Sequence, residues 1–216
     1  MNKTDLKLYA ITDRQWLHGA SLSEHVKLAI EGGATMIQIR DKDILSKDSD
    51  AGLKDEYNEA LEIKRICHEH RVPLIINDNV QFAIDIDADG VHLGQDDMNP
   101  AEARKLLGTD KIIGVTAKTV EQAKKAQADG ADYLGSGAVF GSTTKLNAKP
   151  MTKELLSEIT AAVDIPVVAI GGINADNAST LKGTGIAGIA VVGAIFASAD
   201  IKAAARELAE ICDNML

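Results

Sequence analysis

The sequence predicts an α/β chain, a (β/α)8 barrel forming a single domain over residues 1–216. Three observations predict it. Eight apolar runs rich in Val, Ile and Leu recur along the chain, each ending near Gly, Asp or Thr. An amphipathic stretch rich in Ala, Lys and Glu follows each run, with no hairpin signal between them. The length of 216 residues lies in the usual range of roughly 200 to 250 for such a barrel. Alternating βα units pair their strands in parallel, through right-handed crossovers. A doubly wound open sheet is the structural alternative.

The strand runs are LKLYAITD (6–13), TMIQIR (35–40), PLIIND (73–78), GVHLG (90–94), IIGVTA (112–117), YLGSGA (133–138), VVAIGG (167–172) and GIAVVGA (188–194). Aromatics make up only 3% of the chain, so Ala, Val, Ile, Leu and Gly must pack the core, as suits buried parallel strands. The first helix, SLSEHVKLAIEGG (21–33), opens on a Ser cap and closes on Gly. Helices are then expected in DEYNEALEIKRICHEH (55–70), the short NVQFAIDIDA (79–88), NPAEARKLLG (99–108), TVEQAKKAQADG (119–130), TKELLSEITAAV (152–163), ADNASTLKG (175–183) and DIKAAARELAEICDNM (200–215). DKDILSKDSDAGL (41–53), polar and glycine-containing, reads as a mobile loop at the barrel mouth.

Net charge is −9, and no basic stripe with interleaved aromatics appears. General nucleic-acid binding is not expected. Cys67 and Cys212 show no metal-ligand spacing and read as reduced thiols of a cytosolic protein. The N-terminus is too polar for a signal peptide. No apolar run approaches the roughly 20 residues that span a bilayer. A cytoplasmic location with no membrane partner is therefore expected, and a homo-oligomer stays open.

Active sites of such barrels lie at the carboxyl ends of the strands. In order, these ends offer Tyr9 and Thr12; Gln38, Arg40 and Lys42, which alternate toward one side; Asn77 and Asp78; His92, Gln95, Asp96 and Asp97; Thr116 and Lys118; Ser136; Gly171-Gly172; and Val192-Gly193. Cations (Arg40, Lys42, Lys145) follow strands two and six, and carboxylates (Asp78, Asp97) follow strands three and four. Glycine-rich ends before helix N-termini can cradle phosphate with backbone N–H groups. Magnesium favours one or two carboxylates completed by water and substrate phosphates, a number that Asp78 and Asp97 supply if adjacent strands bring them together. Two phosphate zones then imply two phosphorylated small-molecule partners.

Each feature also has a plain reading. Asp78 is equally placed to cap the following helix, and Asp96-Asp97 to form a solvated turn. Arg40 and Lys42 can be a surface ion-pair patch. GSTTK can be an ordinary loop, and His92 reads as a hydrogen-bonded structural histidine. The functional reading gains from these groups falling at matching ends of successive strands.

YAITDR, MIQIRDKD, LIINDN, GVHLGQDDM, GVTAKT, YLGSGAVFGSTTK, VVAIGGIN and VVGAIFAS together resemble the thiamine phosphate synthase (thiamine-phosphate pyrophosphorylase) family from residue 9 to residue 198. The resemblance implies a (β/α)8 transferase of thiamine biosynthesis. It would join hydroxymethylpyrimidine diphosphate to hydroxyethylthiazole phosphate, releasing pyrophosphate with one Mg2+ per site. It further implies that Gln38, Arg40, Lys42, Asn77, Thr116 and Lys145 meet the pyrimidine diphosphate, with Arg40, Lys42, Lys145 and Thr116 acting in catalysis. Asp78 and Asp97 would ligate magnesium. Ser142, Thr143, Thr144, Gly172, Val192 and Gly193 would hold the thiazole phosphate.

Three positions depart from the family pattern: GVTAKT brings Lys118, FGSTTK brings Gly141, and VVGAI brings Gly193. A thiazole tautomerase-like relative would not need the metal and diphosphate groups. A non-catalytic phosphate-binding barrel would bind pyrophosphate without turnover. A Schiff-base aldolase needs a lysine in a dry strand interior, whereas Lys42, Lys118 and Lys145 follow strand ends.

Overall fold

Eight short parallel strands close into one ring. The computed structural model describes residues 2–40, 50–141 and 150–216. The strands are β1 (Leu8–Ile11), β2 (Met36–Ile39), β3 (Leu74–Asn77), β4 (Gly90–Leu93), β5 (Ile112–Thr116), β6 (Tyr133–Gly137), β7 (Val167–Ile170) and β8 (Gly188–Val191). Each pairs with the next, and β8 pairs with β1. The barrel, not the open sheet, is the fold.

The helices are α1 (Leu22–Gly32), α2 (Asp50–Glu69), α3 (Val80–Asp85), α4 (Pro100–Leu107), α5 (Val120–Ala128), α6 (Lys153–Ala161), α7 (Gly193–Phe196) and α8 (Ile201–Met215). Ser21 caps α1 in a reciprocal capping box with Glu24, and Gly33 ends it in the left-handed region. First and last helices meet where the chain closes its ring. A Cβ on Gly32 would lie 2.6 Å from the Ala205 Cβ of α8 and 2.5 Å from the Lys202 carbonyl. Only a bare backbone lets α1 and α8 approach so closely.

Three elements differ from the sequence expectation. Helix α2 begins at Asp50, not at 55, so the end of the expected 41–53 loop is helical, and residues 41–49 of that loop lie outside the described residues. Residues 175–183 hold a 3-10 turn, Ala178–Leu181, and not an α-helix. Asparagine side chains there compete with helical bonding. The Asn174 N–H donates to Asn177 Oδ1, and Asn177 Nδ2 donates to the Gly172 carbonyl. The last strand stops at Val191. Val192 leaves the extended region at φ −116, ψ −85, and α7 begins at Gly193.

Alternation along each strand divides the core in two. Outward residues such as Leu8, Ile37, Leu74, Val91, Ile113, Leu134 and Ile189 pack with the helices. Inward residues, including Tyr9, Ile11, Met36, Ile75, Tyr133, Val168 and Ala190, fill the barrel. Glycines make room for the large inward rings. A Cβ on Gly114 would lie 2.1 Å from Tyr133 Cζ, and one on Gly135 would lie 3.1 Å from His92 Cε1.

Gly114→Ala should therefore overpack the barrel around fully buried Tyr133 and lower stability by about 2–3 kcal/mol. Gly193→Ala is the comparison, since its added carbon meets only Ala197 Cβ at 3.9 Å; it should not lower stability. Urea denaturation of both variants checks the pair.

Candidate active site

Parallel register brings the ends of β3 and β4 to one corner. Asn77 sits beside His92 in the ladder. The Asp78 N–H continues that ladder by donating to the His92 carbonyl at 2.8 Å. Asp78 then takes φ +61, a left-handed value uncommon outside glycine. Helix α3 is capped by the next residue: Asn79 Oδ1 accepts from the Phe82 N–H at 2.9 Å. The helix-cap reading of Asp78 is thus answered, because the cap belongs to Asn79. The Asp78 carboxylate instead accepts from Asn77 Nδ2 at 2.6 Å.

After β4 the chain turns back on itself. Asp97 Oδ2 accepts from the Gly94 N–H at 2.6 Å, so part of the plain turn reading holds. The same carboxyl group also meets Asp78, closely enough to share a hydrogen bond with it. Asp78 stands at the exposed rim, yet its carboxyl group is partly shielded from water. That shielding is the largest cause lifting its pKa to about 6; the hydrogen bond and charge of Asp97 add to it, while Asn77 and Arg40 act the other way. Two acids pressed together in this way favour a cation between them. The donor set is two hard carboxylates, and the described residues contain no group of three or more His, Cys, Asp or Glu side chains placed to hold a metal ion. That set fits magnesium, which keeps waters and binds substrate phosphate beside one or two carboxylates.

Arg40 follows β2, half-buried, with its N–H donating to Thr12 Oγ1 at 3.1 Å. Its charge acts directly on Asp78. Lys42, Ser142, Thr143, Thr144 and Lys145 lie outside the described residues.

Below the rim runs a chain of polar side chains through the barrel interior. Gln38 Nε2 donates to the Tyr9 hydroxyl at 2.6 Å. The Tyr9 and Tyr133 hydroxyls are 2.9 Å apart. His92 Nδ1 lies 3.0 Å from the Tyr133 hydroxyl, and His92 Nε2 lies 3.0 Å from Thr116 Oγ1. Loss of hydration lowers the His92 pKa to about 4, so its imidazole is neutral at pH 7. Burial likewise pushes both tyrosine hydroxyls well above their usual pKa. The reading of His92 as a hydrogen-bonded histidine holds, and its partners join Gln38 to Thr116.

Tyr133 was not among the rim residues expected from sequence. Its signal was faint: one of three tyrosines in the chain, in step with Gly135 and Gly137 along β6. Gln95 also gains a role, since its Nε2 donates to the Thr116 carbonyl. Ser136, expected at the rim, alternates with Tyr133 and faces the helix layer, fully buried and with no hydrogen-bond partner among the described residues. Lys118 is exposed, and its N–H donates to Gln122 Oε1.

The opposite side of the rim is built on bare backbone. Gly171 and Gly172 have φ +101 and +68. A Cβ on Gly171 would lie 2.4 Å from the Ala138 Cβ, and one on Gly172 would lie 2.8 Å from the Phe140 carbonyl. Both positions demand glycine on conformation and on space. Val192 and Gly193 open α7, and the Ile195 and Phe196 N–H groups donate back to the Val192 carbonyl.

A closed (β/α)8 barrel with an acidic pair at one side of its mouth and a glycine-built backbone at the other belongs to the class of barrels whose chemistry sits at the strand ends. Comparisons with known proteins narrow that class. A family model described as thiamine monophosphate synthase matches residues 8–195. Thiamine-phosphate synthase from Ruminiclostridium cellulolyticum is 48% identical, over 99% of this chain and 98% of that protein. The enzyme of the same name from Clostridium novyi is 48% identical over 95% and 98%. Among solved structures, thiamine phosphate pyrophosphorylase from Pyrococcus furiosus superposes with a TM-score of 0.87 at 38% identity, covering 99% of this chain and 98% of that one. The chain belongs to the thiamine monophosphate synthase family, a family of transferases in thiamine biosynthesis.

The Asp78 shift has a defined sign in stability. Its folded pKa of about 6 exceeds the ordinary value near 4. The group therefore favours the folded state most below about pH 4, and that contribution is lost as pH rises through about 6. His92 has the opposite sign, its contribution being lost as pH falls from about 6.5 toward 4. Comparing Asp78→Asn with the unaltered chain cancels the His92 effect. In metal-free buffer, denaturation should show the variant gaining stability relative to the unaltered chain between pH 4.5 and 7.5. A constant difference across that range would contradict the shift.

Proposed function

We propose that the chain condenses 4-amino-2-methyl-5-(diphosphooxymethyl)pyrimidine with 4-methyl-5-(2-phosphooxyethyl)thiazole, giving thiamine phosphate and pyrophosphate. The observation that carries this reading is the meeting of the Asp78 and Asp97 carboxyl groups beside Arg40, in a chain of the thiamine monophosphate synthase family.

Asp78 and Asp97 would hold one Mg2+. When bound, the ion supplies positive charge against a diphosphate leaving group. Arg40 lies on that side of the mouth, and Lys42 and Lys145 are assigned there by the family motifs. Their charges stabilise the anion that grows as the methylene C–O bond breaks and pyrophosphate leaves with the electron pair. The aminopyrimidine ring spreads the positive charge left on its methylene carbon. Asn77 and Gln38 orient that ring. Thr116 offers its hydroxyl to the diphosphate.

The thiazole nitrogen then forms the new C–N bond with its own lone pair, so no side-chain nucleophile or strong base is required. This agrees with a neutral, internally bonded His92. Ser142, Thr143 and Thr144, with the backbone at Gly172, Val192 and Gly193, would take the thiazole phosphate. The added cost of any side chain at Gly172 supports a close backbone approach there. At Gly193 the backbone is open, an added Cβ meeting only Ala197 Cβ at 3.9 Å, and its N–H is the group that would meet phosphate. The acidic pair disfavours the tautomerase-like alternative, whose chemistry has no leaving diphosphate to neutralise.

The test mixes the two phosphorylated heterocycles with and without Mg2+ and follows pyrophosphate. Metal-dependent release is expected, stopped by EDTA and restored by added Mg2+. Asp78→Ala and Lys145→Ala should each lower kcat by about 10²-fold or more. Undiminished turnover in both variants would overturn the assignment, and tight pyrophosphate binding without turnover would favour a non-catalytic barrel.

A further inference from the structure

We propose that Tyr9, Tyr133 and His92 form a one-way hydrogen-bond relay, running from Gln38 to Thr116, that fixes the Thr116 hydroxyl as a donor toward an anionic oxygen at the barrel mouth. The inference rests on the diphosphate reading above and adds three positioning residues to it.

Two imidazole tautomers are open to this chain of contacts. In the first, the Gln38 amide donates to the Tyr9 oxygen, as the 2.6 Å contact from Nε2 has it. Tyr9 then donates to Tyr133 across 2.9 Å, and Tyr133 donates to His92 Nδ1 across 3.0 Å. The imidazole proton must then sit on Nε2, from which it is donated to Thr116 Oγ1 across 3.0 Å. Thr116 keeps its own hydroxyl hydrogen, which has no acceptor among the described residues. It is left to a ligand.

In the second, Gln38 still donates to Tyr9, so one tyrosine oxygen accepts two hydrogen bonds and one buried tyrosine hydrogen is left without an acceptor in the relay. The imidazole proton sits on Nδ1, and Thr116 spends its hydrogen on Nε2. It then shows a ligand only lone pairs, which repel a phosphate oxygen. The cost of that unpaired buried hydrogen and an anionic ligand at Thr116 both select the first arrangement.

The interior is shaped for this relay. Gly114 clears the Tyr133 ring, and Gly135 clears the His92 ring. Two of the three tyrosines in the chain are spent in it, edge to face with ring centres 5.9 Å apart. Core packing alone would be met by phenylalanine. Phenylalanine at Tyr9 or Tyr133 would leave Gln38 or His92 short of a partner inside a buried barrel.

The test reads the proton arrangement directly. Long-range 1H–15N NMR of the 15N-labelled full chain, with the His92 signal identified by its loss in His92→Gln, should show the Nε2–H tautomer at neutral pH. Tyr133→Phe should abolish that fixed tautomer. Calorimetry with Mg2+ and inorganic pyrophosphate then reads the consequence. Tyr133→Phe and Thr116→Val should each weaken binding about tenfold, as for loss of one hydrogen bond to a charged group. The double variant should be no weaker than the weaker single one. His92→Gln, whose amide can still donate to Thr116, should bind more tightly than His92→Leu.

An Nδ1–H tautomer in the unaltered chain would overturn the relay. So would losses that add in the double variant, or equal binding by His92→Gln and His92→Leu. Absence of pyrophosphate binding by the unaltered chain would instead strike the diphosphate reading, while the polarity of the relay would still be read from the tautomer.

Discussion

The site depends on two carboxyl groups held against each other. Asp78 and Asp97 are 19 positions apart in the numbering, on separate turns, and each is fixed by its own backbone constraint. Asp78 is held by the β3–β4 ladder and its left-handed conformation. Asp97 is held by the Gly94 N–H. Neither constraint is set by the other, yet both bring acid to one corner of the barrel mouth. Shielding from water first, and then the hydrogen bond and charge of Asp97, raise the pKa of Asp78. A structure that keeps such a pair stores an affinity for positive charge. The nearby Arg40 meets part of it.

The barrel turns that local conflict into a site because its ends are asymmetric. Parallel strands place every carboxyl end on the same face. Acids and Arg40 gather at the ends of β2, β3 and β4, while glycine backbone gathers at β7 and β8. Between them the interior carries the polar thread from Gln38 to Thr116. Groups at the rim are therefore steadied from below by hydrogen bonds as well as by packing. The chain keeps few aromatic residues and places two of its tyrosines in that thread.

The strands were legible in the sequence because strands buried on both faces read as nearly unbroken apolar runs. The acidic pair was legible too, once β3 and β4 were recognised as neighbours, because strand ends align in a parallel sheet. Residues 175–183 were not, because Asn174 and Asn177 divert the backbone from a helical ladder by side-chain bonds that no periodicity displays. The Tyr9–Tyr133 contact was hidden for another reason. It joins residues 124 positions apart, and only the full register around the barrel brings them together. Ser136 shows the same point in reverse: a polar residue near a strand end belongs to the site only if the alternation turns it inward.

Crystals of the full chain soaked with Mn2+ and pyrophosphate, with anomalous scattering recorded at the manganese edge, test the central claim most directly. The account predicts one strong peak per chain, within bonding distance of oxygens from both Asp78 and Asp97 and of a pyrophosphate oxygen. A peak bound by only one of these carboxylates, or pyrophosphate seated in the mouth with no ion between the two acids, would contradict it.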